Sequence, residues 1–185
     1  MGKLTYGMIM SLDGFLADAS AYFDDEVLGF INDEARTYGT EIYGRRMYEE
    51  MVYWETYEPK SGGNGFADEF SRIWKGFDKL VISSTLERTS SEKTRLLRAF
   101  EPEEIRRLKA ESTGHISVTG PTLAAQFIKA GLIDEYALYA VPVVLGAGKP
   151  VFRDLEAQLD LELIEEHKFA SGMAFLRYAP RNKAK

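Results

Sequence analysis

The sequence predicts an α/β protein: a mostly parallel sheet with helices on both faces and an antiparallel edge at its C-terminal end. Three observations carry this. Apolar, β-branched runs alternate with helix-like segments from the N-terminus through Gly131, the pattern of parallel strands joined by crossover helices. Beyond that point two strand-like runs, "LDLELIEEHKF" and "MAFLRYAP", are joined around "ASG", an antiparallel pair. No repeat, low-complexity segment or linker interrupts the 185 residues, so one domain is expected over 1–180, with 181–185 as a disordered polar tail.

Leu4–Met10 is rich in apolar residues with loose alternation and reads as a strand, ended by the turn residues of "SLDGF". Asp24–Arg36 reads as a helix, with Val27, Phe30 and Ile31 on one face and acids at its start. Glu41–Tyr43 is a short strand that opens directly into the helical "GRRMYEEM". Residues 58–66, "EPKSGGNGF", are the most loop-like stretch, and Ala67–Trp74 resumes a helix. "KLVISST" is a buried-type strand ending in hydroxyls. Pro102 starts a helix running to Ala110, and "HISVTG" is a strand. Thr122–Ala130 is a helix closed by Gly131 as the residue just past its end. "EYALYAVPVVLG" is a strand that becomes a loop at Gly146 and Gly148.

Composition sets limits on function. The chain has no cysteine, which removes disulfides, thiolate nucleophiles and cysteine-based metal sites; this fits a cytoplasmic protein. No apolar run approaches the roughly 20 residues needed to span a bilayer, and Ser11, Asp13 and Gly14 interrupt the N-terminal stretch before a signal peptide could form. A net charge of −6 argues against nucleic-acid binding but leaves room for one nucleotide, which needs only a few local charges. His115 and His167 have neither metal-ligand spacing nor a catalytic neighbour and read as structural; no metal site is expected.

Open α/β sheets bind ligands beyond the carboxyl ends of their strands. Five junctions there hold polar or glycine residues: "SLDG" (11–14), "GRRM" (44–47), "SST" (83–85), "TGPT" (119–122) and "LGAG" (145–148). At "GRRM", Arg45 and Arg46 oppose the helix dipole, which a nearby anion would account for; solvated surface is the plainer reading. Asp13 is either an ordinary Asp-Gly turn residue or a substrate-orienting, proton-handling acid. Ser83, Ser84 and Thr85 are ligand donors or turn caps. Trp54, among Tyr48, Tyr53 and Tyr57, is core or the wall of a pocket for a flat ring. The chain lacks both a G-x-G-x-x-G after a strand and a P-loop.

The blocks "MIMSLDGFLA", "IYGRRMYEEMVYW", "FDKLVISSTL" and "ISVTGPTLAAQFIKAGLIDEYALYAVPVVLGAGKPVF" resemble, in this order, those of the dihydrofolate reductase-like family. The nearest branch is the C-terminal reductase domain of bifunctional riboflavin-biosynthesis deaminase-reductases. The resemblance implies a three-layer fold with about eight strands, NADPH across the strand ends, and hydride transfer to a small heterocyclic, imine or carbonyl substrate. It also implies a homodimer. On it, Gly44, Arg45 and Arg46 face the adenosine-side phosphates, and Ser83, Ser84 and Thr85 lie along the adenosine ribose. Gly120, Pro121, Thr122 and Leu123 present helix N–H groups to the pyrophosphate. Leu145 and Gly146 sit near the reactive end. Ser11, Leu12, Asp13 and Gly14 border nicotinamide and substrate, with Asp13 as the catalytic candidate; Trp54 adds a substrate wall.

Three departures qualify the resemblance. Met47 stands where the family commonly has threonine. The segment "AYFDDEVLGF" is acidic where the riboflavin enzymes carry a basic stretch for a ribose phosphate, and no deaminase segment precedes residue 1. Two further readings therefore stand beside the riboflavin-type reductase: a dihydrofolate reductase using Asp24 or Asp25 as its acid, and a non-catalytic nucleotide-binding protein. Finally, folate reductases carry two glycines, joined by a cis peptide, at the junction where this chain has Gly120–Pro121. A cis bond before proline costs only about 0.5–1 kcal/mol, so a cis Gly120–Pro121 is expected; the alternative is a trans bond with Pro121 as first helical residue.

Overall fold

The computed structural model describes residues 2–59 and 65–181. Its strands are β1 (Leu4–Met10), β2 (Tyr38–Gly44), β3 (Asp78–Ile82), β4 (Thr94–Leu97), β5 (His115–Thr119), β6 (Glu135–Ala140), β7 (Leu161–Lys168) and β8 (Ala174–Pro180). Its helices are α1 (Asp25–Ala35), α2 (Arg45–Met51), α3 (Gly65–Gly76), α4 (Pro102–Glu111) and α5 (Pro121–Lys129), with short 3-10 turns at Ser20–Tyr22 and Val52–Glu55. The eight strands form one sheet in the order β4-β3-β2-β5-β1-β6-β8-β7. The first six run parallel, and β8 is antiparallel to both β6 and β7.

Period-two alternation decides what each strand gives to each face. Leu4, Tyr6 and Met8 of β1 join Ile42, Leu80, Val118 and Leu138 in a core closed by Ile105 of α4 and by Leu123, Ala124, Phe127 and Ile128 of α5. The opposite face packs on α1 through Val27, Phe30 and Ile31, and on α3 around the fully buried Trp74. Three layers result. Parallel strands covered on both sides need such apolar faces, which is why they read as nearly continuous hydrophobic runs.

Local chemistry fixes the helix ends. Asp24 caps α1, its carboxylate accepting from the Val27 N–H at 2.9 Å, with Asp25 and Glu26 in the first turn. At the end of α5, Gly131 takes φ 63°; its N–H reaches Ile128 O at 3.0 Å, and Leu132 N–H reaches Phe127 O at 3.0 Å. That pair of bonds is a Schellman motif, which requires the left-handed residue glycine supplies.

The structure departs from the sequence reading in three places. β4 was not expected: "TRLL" carries a charge and only four residues, and its only warrant is parallel pairing with β3. β2 begins at Tyr38, three residues earlier than the apolar run suggests. Among the described residues every peptide bond is trans, so the cis Gly120–Pro121 bond is absent. Gly120 makes the bend itself at φ 93°, ψ 119°, and Pro121 is the first residue of α5, where its fixed φ suits the helix. The central part of the 58–66 stretch and the expected tail beyond Arg181 lie outside the described residues; Arg181 N–H donates to Asp160 O at 2.8 Å. Among the described residues no helix is long and apolar enough to cross a membrane.

Pairing also builds a polar row that no local pattern announces. Strand register sets Thr94, Lys79, Glu41, Ser117, Thr5 and Glu135 side by side across six strands. Five of them, all but Thr94, are buried. Lys79 lies 4.4 Å over the Trp74 ring and donates to Phe77 O at 3.0 Å. Trp74 Nε1 donates to the Tyr43 hydroxyl at 3.0 Å. Burial pushes the Glu41 carboxyl up to about 7, against hydrogen bonds from Ser117 and Tyr43 and the Lys79 charge, which lower it.

A raised folded-state value makes the neutral acid the favoured form in the fold. Its contribution to stability is full below about 4.5 and is lost as pH rises through about 7. Glu41→Gln is therefore expected to match the parent near pH 5 and to exceed it at pH 8. The gap should widen by up to about 1.4 kcal/mol per pH unit between the two values, as read by urea unfolding across that range.

Candidate nucleotide cleft

Parallel register brings the carboxyl ends of β2, β3 and β5 level: Gly44 pairs with Ile82, and Tyr43 with Thr119. A cleft of about 780 Å³ opens there. Its walls are the start of α2, the turn after β3, the turn after β4 and the start of α5. Of the residues singled out by sequence, the cleft gathers Gly44, Arg45, Arg46, Ser83, Ser84, Gly120, Pro121, Thr122 and Leu123.

The charge is local and positive. Arg45, Arg46, Arg98 and Lys149 line the cleft against a single acid, Glu50, in a chain whose net charge is −6. Arg45 donates from Nε to Glu49 at 2.7 Å and from Nη1 to the Thr85 hydroxyl at 3.2 Å. Thr85 thus reaches the site through Arg45. Arg46 makes no hydrogen bond or ion pair among the described residues and is exposed along the cleft wall. Arg98 is held by backbone carbonyls, donating to Leu86 O and, at 3.1 Å, to Glu87 O. Those contacts fix the guanidinium without neutralising it.

Hydroxyls and N–H groups complete the donor set. Ser83 Oγ accepts from the N–H groups of Thr85 (3.2 Å) and Leu86 (3.0 Å), so it caps its turn and lines the cleft at once. No side chain caps α5 and no acid occupies its first turn, which leaves the N-terminal N–H groups of that helix facing the cleft. Next to them the Thr119 hydroxyl is buried without a partner. An orphaned hydroxyl, a bare helix start and several cations in one concavity fit a phosphorylated nucleotide. Met47, in the place of the family's usual threonine, packs into the cores on both sides of the sheet.

The remaining nominated residues lie on two loops that extend the cleft beyond Met8 and Leu16. Residues 11–16 and 141–151 are laced by Leu12 N–H to Val143 O and Leu16 N–H to Lys149 O, each 2.8 Å, and Val151 N–H to Gly14 O, 2.9 Å. Ser11 is buried, its Oγ accepting from Phe15 N–H at 3.0 Å. Asp13 crosses between the loops: its two oxygens accept from Leu145 N–H at 3.1 Å and Gly146 N–H at 2.7 Å. Hydrogen bonds from Ser11, Gly146 and Leu145 hold its carboxyl below the usual value. Asp13 is thus a carboxylate that orders a loop.

Trp54 stands apart. It packs edge-on against Tyr53 and Phe70 under α3, and it is not among the residues of the cleft. Asp24 is likewise committed to capping α1. Sequence reading missed Arg98 and Lys149, and marked Thr119 only as part of the 119–122 junction. Arg98 sits in a segment without glycine and is delivered by β4, itself unexpected, whereas Lys149 directly follows the "LGAG" junction without having been singled out. A second cavity of about 320 Å³ lies at the amino ends of the strands, but Arg177 there is already bound by Glu34, Glu135 and Glu165.

Comparison with known proteins agrees with this architecture. The chain is 28% identical over 181 residues to YyaP of Bacillus subtilis (strain 168), covering 95% of this chain and 94% of that one. Among solved structures it is similar to a protein of Shewanella sp. PV-4 named for riboflavin biosynthesis: TM-score 0.73, 20% identity, 97% of this chain and 99% of the other. It is also similar to dihydrofolate reductase from Enterococcus faecalis complexed with NADP(H), with TM-score 0.63, 14% identity and 98% of each chain covered. The eight-strand, mostly parallel sheet with its antiparallel edge is thus dihydrofolate reductase-like. The model of the RibD C-terminal domain matches residues 2–175, and the chain belongs to that family.

Proposed function

We propose that this protein is a nicotinamide-dependent reductase of the riboflavin-biosynthesis reductase type, holding NADPH in the cleft and acting on a small heterocyclic, imine or carbonyl compound. The observation that carries the reading is the donor-rich, cationic concavity at the ends of β2, β3 and β5. Membership in the RibD C-terminal domain family and the NADP(H) of the similar E. faecalis reductase support it.

Each residue has a task derived from its surroundings. Arg45, Arg46 and Arg98 bind the adenosine-side phosphates, Arg98 in a geometry set before binding. The first N–H groups of α5, with Thr119 beside them, take the pyrophosphate. Ser83 and Ser84 flank the ribose. A bound nicotinamide would supply hydride at the end of the cleft bordered by Leu16. Asp13 is a positioning residue: by engaging Leu145 and Gly146 it sets the loop that walls that end. The commitment of Asp24 to its cap weighs against the folate-type alternative, in which a first-helix acid protonates the substrate.

Equilibrium titration followed by cofactor fluorescence should give saturable NADPH binding that is tighter than NADH binding. No saturable binding of either would refute the reading. Combining Arg45→Ala with Arg98→Ala removes charge-assisted hydrogen bonds worth about 1.5–3 kcal/mol each in general, so NADPH affinity should fall by at least about tenfold with NADH affected less. Unchanged NADPH affinity would make these arginines surface residues only.

Asp13→Ala is expected to leave the melting profile and NADPH affinity nearly unchanged while amide exchange at Leu145 and Gly146 accelerates and turnover drops. Asp13→Asn, which keeps one acceptor oxygen, should fall between. Slow exchange at both amides in the alanine variant would show that the loop holds its shape without the carboxylate.

A further inference from the structure

The two laced loops expose a concentration of aliphatic side chains. Leu12 is 64% exposed, Val144 70%, Leu145 47% and Leu16 38%, four of the nine exposed large hydrophobics among the described residues. Backbone and side-chain bonds bring their loops together: Leu12 to Val143, Asp13 to Leu145 and Gly146, Leu16 to Lys149. Leu16 and Lys149 also line the cationic cleft, so the patch continues it.

Its electrostatics are opposite to those of the cleft. From residue 11 to residue 26 the chain carries Asp13, Asp18, Asp24, Asp25 and Glu26 and no cation. Ser20 hydrogen bonds hold the Asp18 carboxyl low, as Ser11 and the loop N–H groups hold Asp13. Ala17, Ala19 and Tyr22 pack with Val141 and Val143, which sets the acidic segment against the second loop. The Leu145 and Gly146 N–H groups, otherwise natural phosphate donors, are occupied by Asp13. Past Lys149, which lines the cleft, a phosphate at this end would meet the held Asp13 and Asp18 carboxylates and few free donors, a mismatch that discriminates by repulsion.

We infer that the substrate end of the cleft takes an uncharged, non-phosphorylated ring compound, seated on Leu12, Leu16, Val144 and Leu145, and excludes sugar-phosphate substrates. The inference rests on the reductase reading and narrows its substrate class. Phosphate recognition is confined to the cofactor side, where the arginines are; the acceptor side offers apolar contact.

Calorimetric titration of the full chain tests this, with saturating NADP⁺ present so that the phosphate cleft is filled. The probes are 1-tetralone, a neutral bicyclic ketone, and ribose 5-phosphate. Saturable tetralone binding with none for ribose 5-phosphate is expected. Leu12→Ser and Leu145→Ser should each weaken tetralone by about fivefold, because each shrinks the apolar area that the ring covers. Leu163→Ser, at an equally exposed position on β7, should change nothing. Ribose 5-phosphate binding as tightly as tetralone, no tetralone binding, or indifference to both leucine variants would each overturn the inference while the cofactor reading stood. Failure of NADP⁺ itself to bind would overturn the reductase reading, and the inference with it.

Discussion

Parallel strand direction is the constraint on which the rest of this molecule depends. Six neighbouring strands running the same way place six carboxyl ends on one edge of the sheet. The order then matters. β5 lies between β2 and β1, so the crossover from β1 to β2 passes over one face through α1 and that from β5 to β6 over the other through α5. Chains leaving neighbouring strands toward opposite faces leave a crevice between them. The cleft opens there, and its walls follow the level carboxyl ends of β2, β3 and β5.

Charge is distributed to match. An acidic chain gathers four cations around one concavity, while other basic residues are held in ion pairs, as Arg177 is by three carboxylates. The cleft donors are of two kinds. Arg98 and the α5 N–H groups are fixed by backbone geometry, whereas Arg45 and Arg46 are long side chains at a helix start. A ligand with phosphates at one end and an uncharged ring at the other suits the change from this cationic wall to the aliphatic rim of the 11–16 and 141–149 loops.

The buried row from Thr94 to Glu135 follows a different logic. Burying Lys79 and Glu41 in one sheet is costly unless each is hydrogen-bonded. Here Lys79 has backbone carbonyls and the Trp74 face, and Glu41 has Ser117 and Tyr43. The row lies on the face carrying α1 and α3, so it leaves the apolar core under α4 and α5 unbroken. Tyr43, which serves Glu41, is one residue from Gly44 at the cleft, so the polar row and the cleft wall share a strand.

Much of this was legible in sequence. The strand–helix alternation, the acids at the start of α1, the closing Gly131, and the glycine- and arginine-bearing junctions at 44–46 and 120–123 are local signals, because period, capping and turn chemistry act over a few residues. β4, Arg98 and Lys149 were not legible, since a four-residue strand and lone basic side chains acquire meaning only beside a distant partner. Gly120–Pro121 marked a bend in the sequence; only the structure decided that glycine's positive φ makes it, with proline trans. Asp13 was a plausible acid in sequence and became a loop anchor when Leu145 and Gly146, over 130 residues away in the chain, were folded against it. The sequence by itself determined the elements and their order, because hydrophobic periodicity is written residue by residue. The tertiary structure decided the register, the cleft and the roles within it, because those depend on which strands lie side by side.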